Sequence, residues 1–206
     1  MKTFWNERYK SNEYVYGEAP NAFLAATLVK LKPGKILFPA EGEGRNAVFA
    51  ARSGWEVVAF DWSEEGLKKA TILAEKEKVH IAYELGDMEE IHFEPETFDA
   101  VGLVFAHFPE ELRAAYHRKI SSFLKPGGYL IIEGFSKAHL QFNAVNPKAG
   151  GPKNEGMLFS LEDIRSDFPE IEWELLEEVN ESLEEGNYHV GEAALIRGFG
   201  RKKNTN

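Results

Sequence analysis

The spacing of apolar residues predicts strands that alternate with helices over the first two thirds of the chain. Short runs of mainly apolar residues predict five strands, at 36–38, 55–60, 79–85, 98–105 and 129–133. Apolar residues at a period of about 3.6 predict helices at 22–31, 46–52, 64–78 and 109–124. Strands that alternate with helices form parallel βαβ units, so this region predicts a parallel sheet covered on both faces.

The pattern changes after residue 135. Residues 136–159 contain Asn-Pro and Gly-Gly-Pro steps and predict a long loop, of a length that is often functional. A capping-box sequence at 160–163 predicts a short helix that ends at Phe168. Two β-prone runs, 171–180 and 188–199, flank a hairpin-sized turn. The predicted fold is therefore α/β, a doubly wound, mostly parallel seven-stranded sheet with an antiparallel C-terminal strand pair.

Composition narrows the classes of function. The 206-residue chain is 43% hydrophobic and 28% charged, which is typical of one globular domain. Its net charge of −10 argues against sequence-independent binding of nucleic acid. The absence of cysteine excludes disulfides, thiolate nucleophiles and Cys–zinc sites, and we expect no metal. No apolar run approaches the ~20 residues of a membrane span, so we expect a cytoplasmic protein that does not bind membranes. We also expect a monomer or homodimer.

A glycine-rich turn after the first predicted strand is the strongest candidate for a ligand site. In FPAEGEG (38–44) the glycines let the backbone approach a ligand, and the next helix offers unpaired N–H groups. The second predicted strand ends on Asp61, where a carboxylate can accept hydrogen bonds from a ribose diol. Together they predict a site for a nucleoside-containing cofactor, although the turn alone is also compatible with an ordinary β–α connection.

Candidate groups also follow the later strands. Asp87 ends the third predicted strand, His107 follows the fourth, and His189 follows the hairpin turn. The carboxyl ends of parallel strands meet at one edge, so we interpret Asp87 as a further ligand group. Either histidine is a candidate to orient an acceptor or take its proton, because a neutral imidazole is available near pH 7. A purely structural role is the alternative for both.

The first 19 residues are unusually aromatic for a polar segment. Phe4, Trp5 and Tyr9 are spaced to pack on one helical face, and Tyr14 and Tyr16 follow them. One interpretation is a short helix held on the core by its aromatic side chains. The other is a lid over the ligand, because aromatic rings exclude water and favour cations on their faces.

Taken together, these motifs resemble the class I S-adenosylmethionine-dependent methyltransferases over residues 4–200. The matching stretches are LFPAEGEGRN, VVAFDWS, GDMEE, LVFAHFP and LKPGGYLIIEGF. Within that superfamily, FWNERYKSNEYVYGEAPNAFL and GEGRNAVFAARSGWEVVAFDWS look most like the small tellurite-resistance and thiopurine-type methyltransferases. The resemblance implies one Rossmann-like domain over 1–206, with an aromatic lid and helix (1–31), a cofactor-binding half (32–135) and a substrate side (136–200).

The resemblance also implies roles for individual residues. Asp61 would take the ribose hydroxyls, Trp62 would stack near the adenine, and Asp87 would accept from the adenine amino group beside Met88. The full set implied to contact the cofactor is Ala40, Glu41, Gly42, Gly44, Asp61, Trp62, Asp87, Met88, Phe105, Tyr16 and Asn21. One departure concerns Phe38, which replaces the family's usual acid. That acid helps to hold the methionine ammonium, so Glu41 or the N-terminal segment would have to replace it.

The implied activity is in-line transfer of a methyl group from S-adenosylmethionine to a small-molecule acceptor, such as a thiol or chalcogen oxyanion, leaving S-adenosylhomocysteine. His189 and His107 are the candidate catalytic residues. No Pro-Pro-aromatic tetrad follows the fourth predicted strand, which argues against an amino-methylating DNA enzyme. The alternative is a non-catalytic or NAD-type nucleotide-binding protein, whose fingerprint would place its third glycine at Ala47.

Overall fold

A computed structural model describes residues 2–204, apart from the side chain of Lys2. Its centre is one seven-stranded sheet with the strand order β3-β2-β1-β4-β5-β7-β6. The strands are β1 (Lys35–Pro39), β2 (Glu56–Asp61), β3 (Ala82–Leu85), β4 (Phe98–Val104), β5 (Leu124–Phe135), β6 (Ile171–Glu185) and β7 (His189–Lys202). The first five run parallel, and β7 is antiparallel to both β5 and β6. The predicted mostly parallel sheet with an antiparallel C-terminal pair is confirmed.

Seven α-helices surround the sheet in the described part of the chain. They are α1 (Lys2–Tyr9), α2 (Ala22–Leu28), α3 (Arg45–Arg52), α4 (Glu64–Glu77), α5 (Glu110–Ser122), α6 (His139–Val145) and α7 (Leu161–Asp167). Asn21 caps α2, Ser63 caps α4, and Ser160 with Asp163 forms a capping box on α7. Among these helices, none is long and apolar enough to cross a membrane.

The core lies in two layers, one on each face of the sheet. One layer contains side chains of α2, α3 and α4, and the other contains side chains of α5 and α7. Phe38, at the position of the missing acid, is fully buried in the first layer. A Cβ at Gly102 would lie 2.4 Å from Cε1 of Phe38, so the ring occupies the space that this glycine leaves. Phe38 is thus a core residue that points away from solvent.

Several predicted elements have different bounds in the structure. Strand β5 starts at Leu124 because residues 125–128, predicted as a break, form a bulge: Leu124 pairs with Phe98, and Tyr129 pairs with Ala100. Helix α2 ends at Leu28, followed by turn hydrogen bonds rather than the predicted helix to residue 31. Strands β6 and β7 extend to a tight turn at 186–188, which lengthens the predicted hairpin.

The prediction of a long loop at residues 136–159 is wrong. The segment contains α6 and two 3₁₀ turns, Pro147–Ala149 and Glu155–Met157. It folds back on itself, because the His139 ring and the Asn143 side-chain amide both contact the carbonyl oxygen of Gly150, at 3.0 and 2.5 Å. Helices this short depend on tertiary contacts, which hydrophobic periodicity does not report.

Candidate functional site

The glycine-rich turn joins β1 to α3 at the carboxyl edge of the sheet. Three of its residues have a left-handed backbone: Ala40 at φ +52°, Gly42 at +66° and Gly44 at +87°. A Cβ on Gly44 would lie 2.6 Å from the Cβ of Ala70, so this glycine also lets α3 approach α4. The sequence motif therefore combines a strained turn with close helix packing.

Glu41 is bound to the start of α3. Its Oε1 accepts hydrogen bonds from the backbone N–H groups of Asn46, at 2.9 Å, and Ala47, at 2.8 Å. Burial raises the pKa of Glu41 to about 7, against the lowering effect of these amides and of the Arg45 charge. Glu41 is therefore a half-buried carboxyl group beside the glycines. A cationic group bound next to it could stabilise its charged form in place of water.

Asp61 lies at the carboxyl end of β2 and is buried. Its Oδ2 accepts from the Gly42 N–H at 3.1 Å, and its Oδ1 accepts from the Ser63 N–H at 2.8 Å. Burial raises its pKa to about 6, although these amides favour the ionised form. Each carboxylate oxygen keeps a second lone pair, so Asp61 can still accept hydrogen bonds from two hydroxyl groups.

Asp87 follows β3 on the same edge. Its Oδ1 accepts from the N–H groups of Glu89 and Glu90, at 2.8 and 3.0 Å, and forms a local turn. Its neighbour Met88 is buried in the core, whereas Trp62, after β2, is half-buried. The structure thus places a polar acceptor and two apolar side chains beyond the ends of β2 and β3.

The N-terminal segment (residues 2–19) lies over the glycine-rich turn. A Cβ on Gly42 would be 2.6 Å from the Tyr9 hydroxyl, so Tyr9 covers this glycine directly. The Ser63 hydroxyl donates to the side-chain oxygen of Asn6 at 2.7 Å, and the Val15 N–H donates to Glu43 at 2.9 Å. These contacts attach the segment to the ends of both β1 and β2.

The β6–β7 hairpin covers the edge from the other side. Pairing of β5 with β7 ends at Phe135–Leu195, but pairing within the hairpin continues to Glu185–His189. The hairpin tip (residues 181–193) therefore extends beyond the sheet.

The tip meets the N-terminal segment at its turn. The Asn187 N–H donates to the Val15 carbonyl at 2.9 Å. A Cβ on Gly186 would lie 2.3 Å from the same oxygen, so the two backbones are in direct contact. The N-terminal segment and the hairpin tip are thus two covers that close the site above the strand ends.

A buried network of charged groups joins the tip to the start of α3. Glu185 accepts from Arg45 at 2.8 Å and from the side-chain amide of Asn21 at 3.1 Å. Asn21 also donates to Glu133, at 2.6 Å, and Glu133 pairs with Arg197. Burial would raise the pKa of Glu185, but the His189 hydrogen bond and the Arg45 charge lower it to about 2. Glu185 is thus ionised and compensated by its partners, whereas burial raises the pKa of Glu133 against the lowering effect of Arg197.

His189 belongs to the hairpin tip and is only 4% exposed. Its Nδ1 is 3.0 Å from Oε2 of Glu185. Its ring centroid is 4.4 Å from that of Tyr16 and 4.3 Å from that of Phe105. Burial lowers the pKa of His189, and Glu185 offsets this only in part. A neutral ring that donates Nδ1–H to Glu185 leaves Nε2 as an acceptor.

His107 is held differently. Its Nδ1 is 2.7 Å from the Met157 carbonyl oxygen, and its Nε2 accepts from the Phe135 N–H at 3.0 Å. Burial lowers its pKa to about 3. Because both ring nitrogens are engaged with backbone groups, this geometry favours the structural alternative for His107. The histidine best placed to accept a proton is His189.

The structure therefore brings most of the predicted site residues to one edge. Phe105 and Tyr16 contact His189, Asn21 contributes to the charged network, and the glycine turn, Asp61 and Asp87 follow adjacent strands. Sequence patterns assigned no individual role to Arg8, Arg45, Glu133 and Glu185. No local pattern pairs these residues with their partners, and only the tertiary fold brings them together. A cleft of about 410 Å³ lies at the opposite edge, beside Trp55 and Asp99, and shares no residue with this site.

Comparison with known proteins supports the interpretation of this edge. The sequence profile of a family described as a methyltransferase domain matches residues 36–128, which span β1 to the start of β5. Residues 36–128 thus resemble a methyltransferase domain. This match supports the assignment of the chain as an S-adenosylmethionine-dependent methyltransferase. A comparison with curated proteins finds no match.

Solved structures share the fold. One protein, described with the conversion of a disulfide bond into a thioacetal group during echinomycin biosynthesis, has a TM-score of 0.78 and 20% identity, covering 100% of this chain and 94% of its own. TehB from Haemophilus influenzae has a TM-score of 0.72 and 17% identity, covering 98% and 67%. The 1,6-didemethyltoxoflavin-N1-methyltransferase of Burkholderia thailandensis, solved with S-adenosylhomocysteine, has a TM-score of 0.63 and 17% identity, covering 88% and 77%.

Proposed function

We propose that this methyltransferase acts on a small molecule. The observation that carries the proposal is the double cover of the carboxyl edge by the N-terminal segment and the hairpin tip. The two meet through backbone contacts at Val15 and Gly186, directly above the strand ends. A macromolecular acceptor would need both covers to open, whereas a small acceptor can be enclosed and separated from water.

The chain's own residues fit the donor. Asp61 has two free lone pairs for ribose hydroxyls, and Asp87 can accept from an exocyclic amino group near the apolar side chains of Trp62 and Met88. Glu41, with a pKa raised by burial, would be stabilised in its ionised form by the methionine ammonium. When bound, S-adenosylmethionine supplies an electrophilic methyl group.

Catalysis by the protein then consists mainly of positioning. The rings of Phe105 and Tyr16 both contact that of His189 in the hairpin tip and form an aromatic wall with it. Glu185 holds the His189 ring by its Nδ1, so Nε2 can take a proton from an acceptor that must lose one. Acceptors without such a proton, such as a thiolate or an oxyanion, would need only the enclosure.

We propose the tellurite-resistance and thiopurine-type subgroup as the nearest functional class. The support is the aromatic N-terminal motif, which the structure places over the glycine-rich turn. A methyl-transfer screen over thiols, selenium and tellurium oxyanions, halides, amines and phenols tests the subgroup. Transfer to amines alone would contradict it.

Ligand-induced stabilisation tests the donor site. S-adenosylhomocysteine at a hundredfold excess over its Kd should raise the free energy of unfolding by about 2.7 kcal/mol, whereas NAD should not. Asp61→Ala should remove most of this effect, because the ribose hydroxyls lose their acceptor. Asp99→Ala, which removes a carboxylate at the opposite edge of the sheet, is the matched control. Stabilisation by NAD and not by S-adenosylhomocysteine would refute the proposal.

A further inference from the structure

Arg8 occupies an unusual position between the two covers of the site. Its guanidinium carbon lies 4.6 Å from the ring centroid of Phe4 and 5.6 Å from that of Trp5, both in α1. On its other side it lies 4.4 Å from the ring centroid of Tyr188, in the hairpin turn. Aromatic rings from both covers therefore hold this cation at the place where the covers meet.

Arg8 also lacks a carboxylate partner within residues 3–204. Three other arginines there are buried or half-buried, and each pairs with an acid: Arg45 with Glu185, Arg113 with Asp163 and Asp167, and Arg197 with Glu133 and Glu181. Arg8 makes a single side-chain hydrogen bond, from Nη1 to the Tyr16 hydroxyl at 3.2 Å. In a chain of 34 acidic and 24 basic residues, a half-buried arginine without a carboxylate is unexpected.

The guanidinium has unused binding capacity. It carries five N–H donors in a planar fork that matches a carboxylate or an oxyanion. Partial burial of a charge is costly unless it is paired, and aromatic faces offset only part of that cost. An anionic ligand at this point would therefore gain a charge-assisted contact without displacing a protein carboxylate.

The cation lies near the proposed acceptor site. Tyr16, which accepts the Arg8 hydrogen bond, has its ring 4.4 Å from His189, and His189 is 4.3 Å from Phe105. Arg8 is thus separated from the proposed base by one aromatic ring. Consider a ligand whose reacting atom lies at His189. A second group on this ligand, separated from the reacting atom by about the width of one aromatic ring, could contact Arg8.

We propose that Arg8 binds a carboxylate or comparable oxyanion on the methyl acceptor, and hence that the acceptor is a small anion with an apolar body. The proposal rests on the proposed function, because it assigns the acceptor class of the same site. The methionine carboxylate of the donor has the same chemistry, so donor binding must be measured separately.

The test uses benzoate and its neutral analogue benzamide as probes of the 206-residue chain saturated with S-adenosylhomocysteine. Calorimetry should show benzoate binding at least tenfold more tightly than benzamide. Arg8→Gln should weaken benzoate binding about 10- to 100-fold and leave benzamide unchanged, the effect of losing a charged hydrogen-bonded pair. Arg8→Lys should retain part of the preference, because it keeps the charge without the fork.

Arg52→Gln is the matched control, since Arg52 is exposed on α3 and pairs with Glu77. It should alter neither probe. Equal binding of benzoate to wild type and Arg8→Gln, or no preference over benzamide, would overturn the proposal. A loss of S-adenosylhomocysteine affinity in Arg8→Gln would overturn it too, by assigning the guanidinium to the donor carboxylate. A wild type without S-adenosylhomocysteine binding would instead refute the proposed function itself.

Discussion

At the scale of single residues, the site contains carboxylates that the fold partly removes from water. Asp61 and Glu41 have pKa values raised to about 6 and about 7 by burial. Backbone N–H groups stabilise both but do not restore their ordinary pKa. Such groups are typical of sites arranged for ligands, because hydroxyl or ammonium donors can supply what hydration no longer does.

The raised pKa of Asp61 predicts a specific pH dependence of stability. Between pH 4 and 6 the folded protein holds a proton on Asp61 that the unfolded chain, with a pKa near 3.9, has released. Stability from this group is therefore fully present below about pH 4 and is lost as the pH rises through 6. Relative to Asp61→Asn, the wild-type free energy of unfolding should fall by about 2 to 3 kcal/mol from pH 4 to 7.

Denaturant titrations of both ligand-free proteins at several pH values measure this difference. Asp99→Asn is a suitable control, because its pKa is lowered by Lys125 and by the Lys35 amide despite partial burial. Its difference from wild type should change with pH in the opposite direction. A constant difference between wild type and Asp61→Asn would show that Asp61 is hydrated in the folded protein.

His189 is the second residue whose role can be separated by measurement. Glu185 orients its Nδ1, so its Nε2 is the available base. With an acceptor that must lose a proton, His189→Ala should lower kcat by roughly 10²-fold and leave S-adenosylhomocysteine affinity nearly unchanged. Unchanged turnover would assign His189 to structure. A parallel loss of donor affinity would show that the hairpin shapes the whole site.

At the scale of elements, the two covers are attached to the sheet in different ways. The N-terminal segment is connected to the strand ends through single contacts of Asn6, Tyr9 and Val15. The hairpin is continuous with the sheet through β7 and is further fixed by Glu185 and Arg45. Since α1 has few buried side chains, it can separate from the site at lower cost than the hairpin. We therefore propose the N-terminal segment as the moving lid.

Removal of the lid tests this idea. Deletion of residues 1–10 removes Asn6, Arg8 and Tyr9 but keeps Val15 and its contact with Glu43. The Kd for S-adenosylhomocysteine should rise about tenfold or more, because Gly42 loses its cover. Leu124→Ala, a core truncation at the amino end of β5, should lower stability without a comparable change in Kd. A folded deletion variant with normal ligand binding would refute the lid.

At the scale of the whole molecule, the parallel sheet explains why distant residues form one site. The ends of β1, β2, β3, β4 and β5 lie along a single edge, and the antiparallel pair adds a cover from the C-terminal part of the chain. Among described residues no cluster suited to a metal ion occurs. The net charge of the chain is −10, yet Arg8, between the two covers, has no carboxylate partner within residues 3–204.

The sequence by itself determined the sheet, the order of its elements and the residues at the strand ends. Apolar runs, helix caps and the glycine-rich turn act locally and predict the strands. Because parallel strands have their carboxyl ends at one edge of the sheet, Asp61 and Asp87 could be assigned to that edge. Local patterns could not show that Phe38 lies in the core. They also could not show which of His107 and His189 is better placed to accept a proton. Each depends on which side chain fills the space beside Gly102 or which backbone groups reach an imidazole ring.

Only the tertiary structure decided how the site is covered and charged. Glu185 meets Arg45 across 140 positions of sequence, and Arg8 meets Tyr188 only where α1 and the hairpin turn come together. No local pattern encodes such contacts, because their energy comes from burial and from pairing that exist only in the folded chain. The fold and the proposed donor site can therefore be predicted from the sequence, whereas the enclosure that we propose to select an acceptor depends on the tertiary structure.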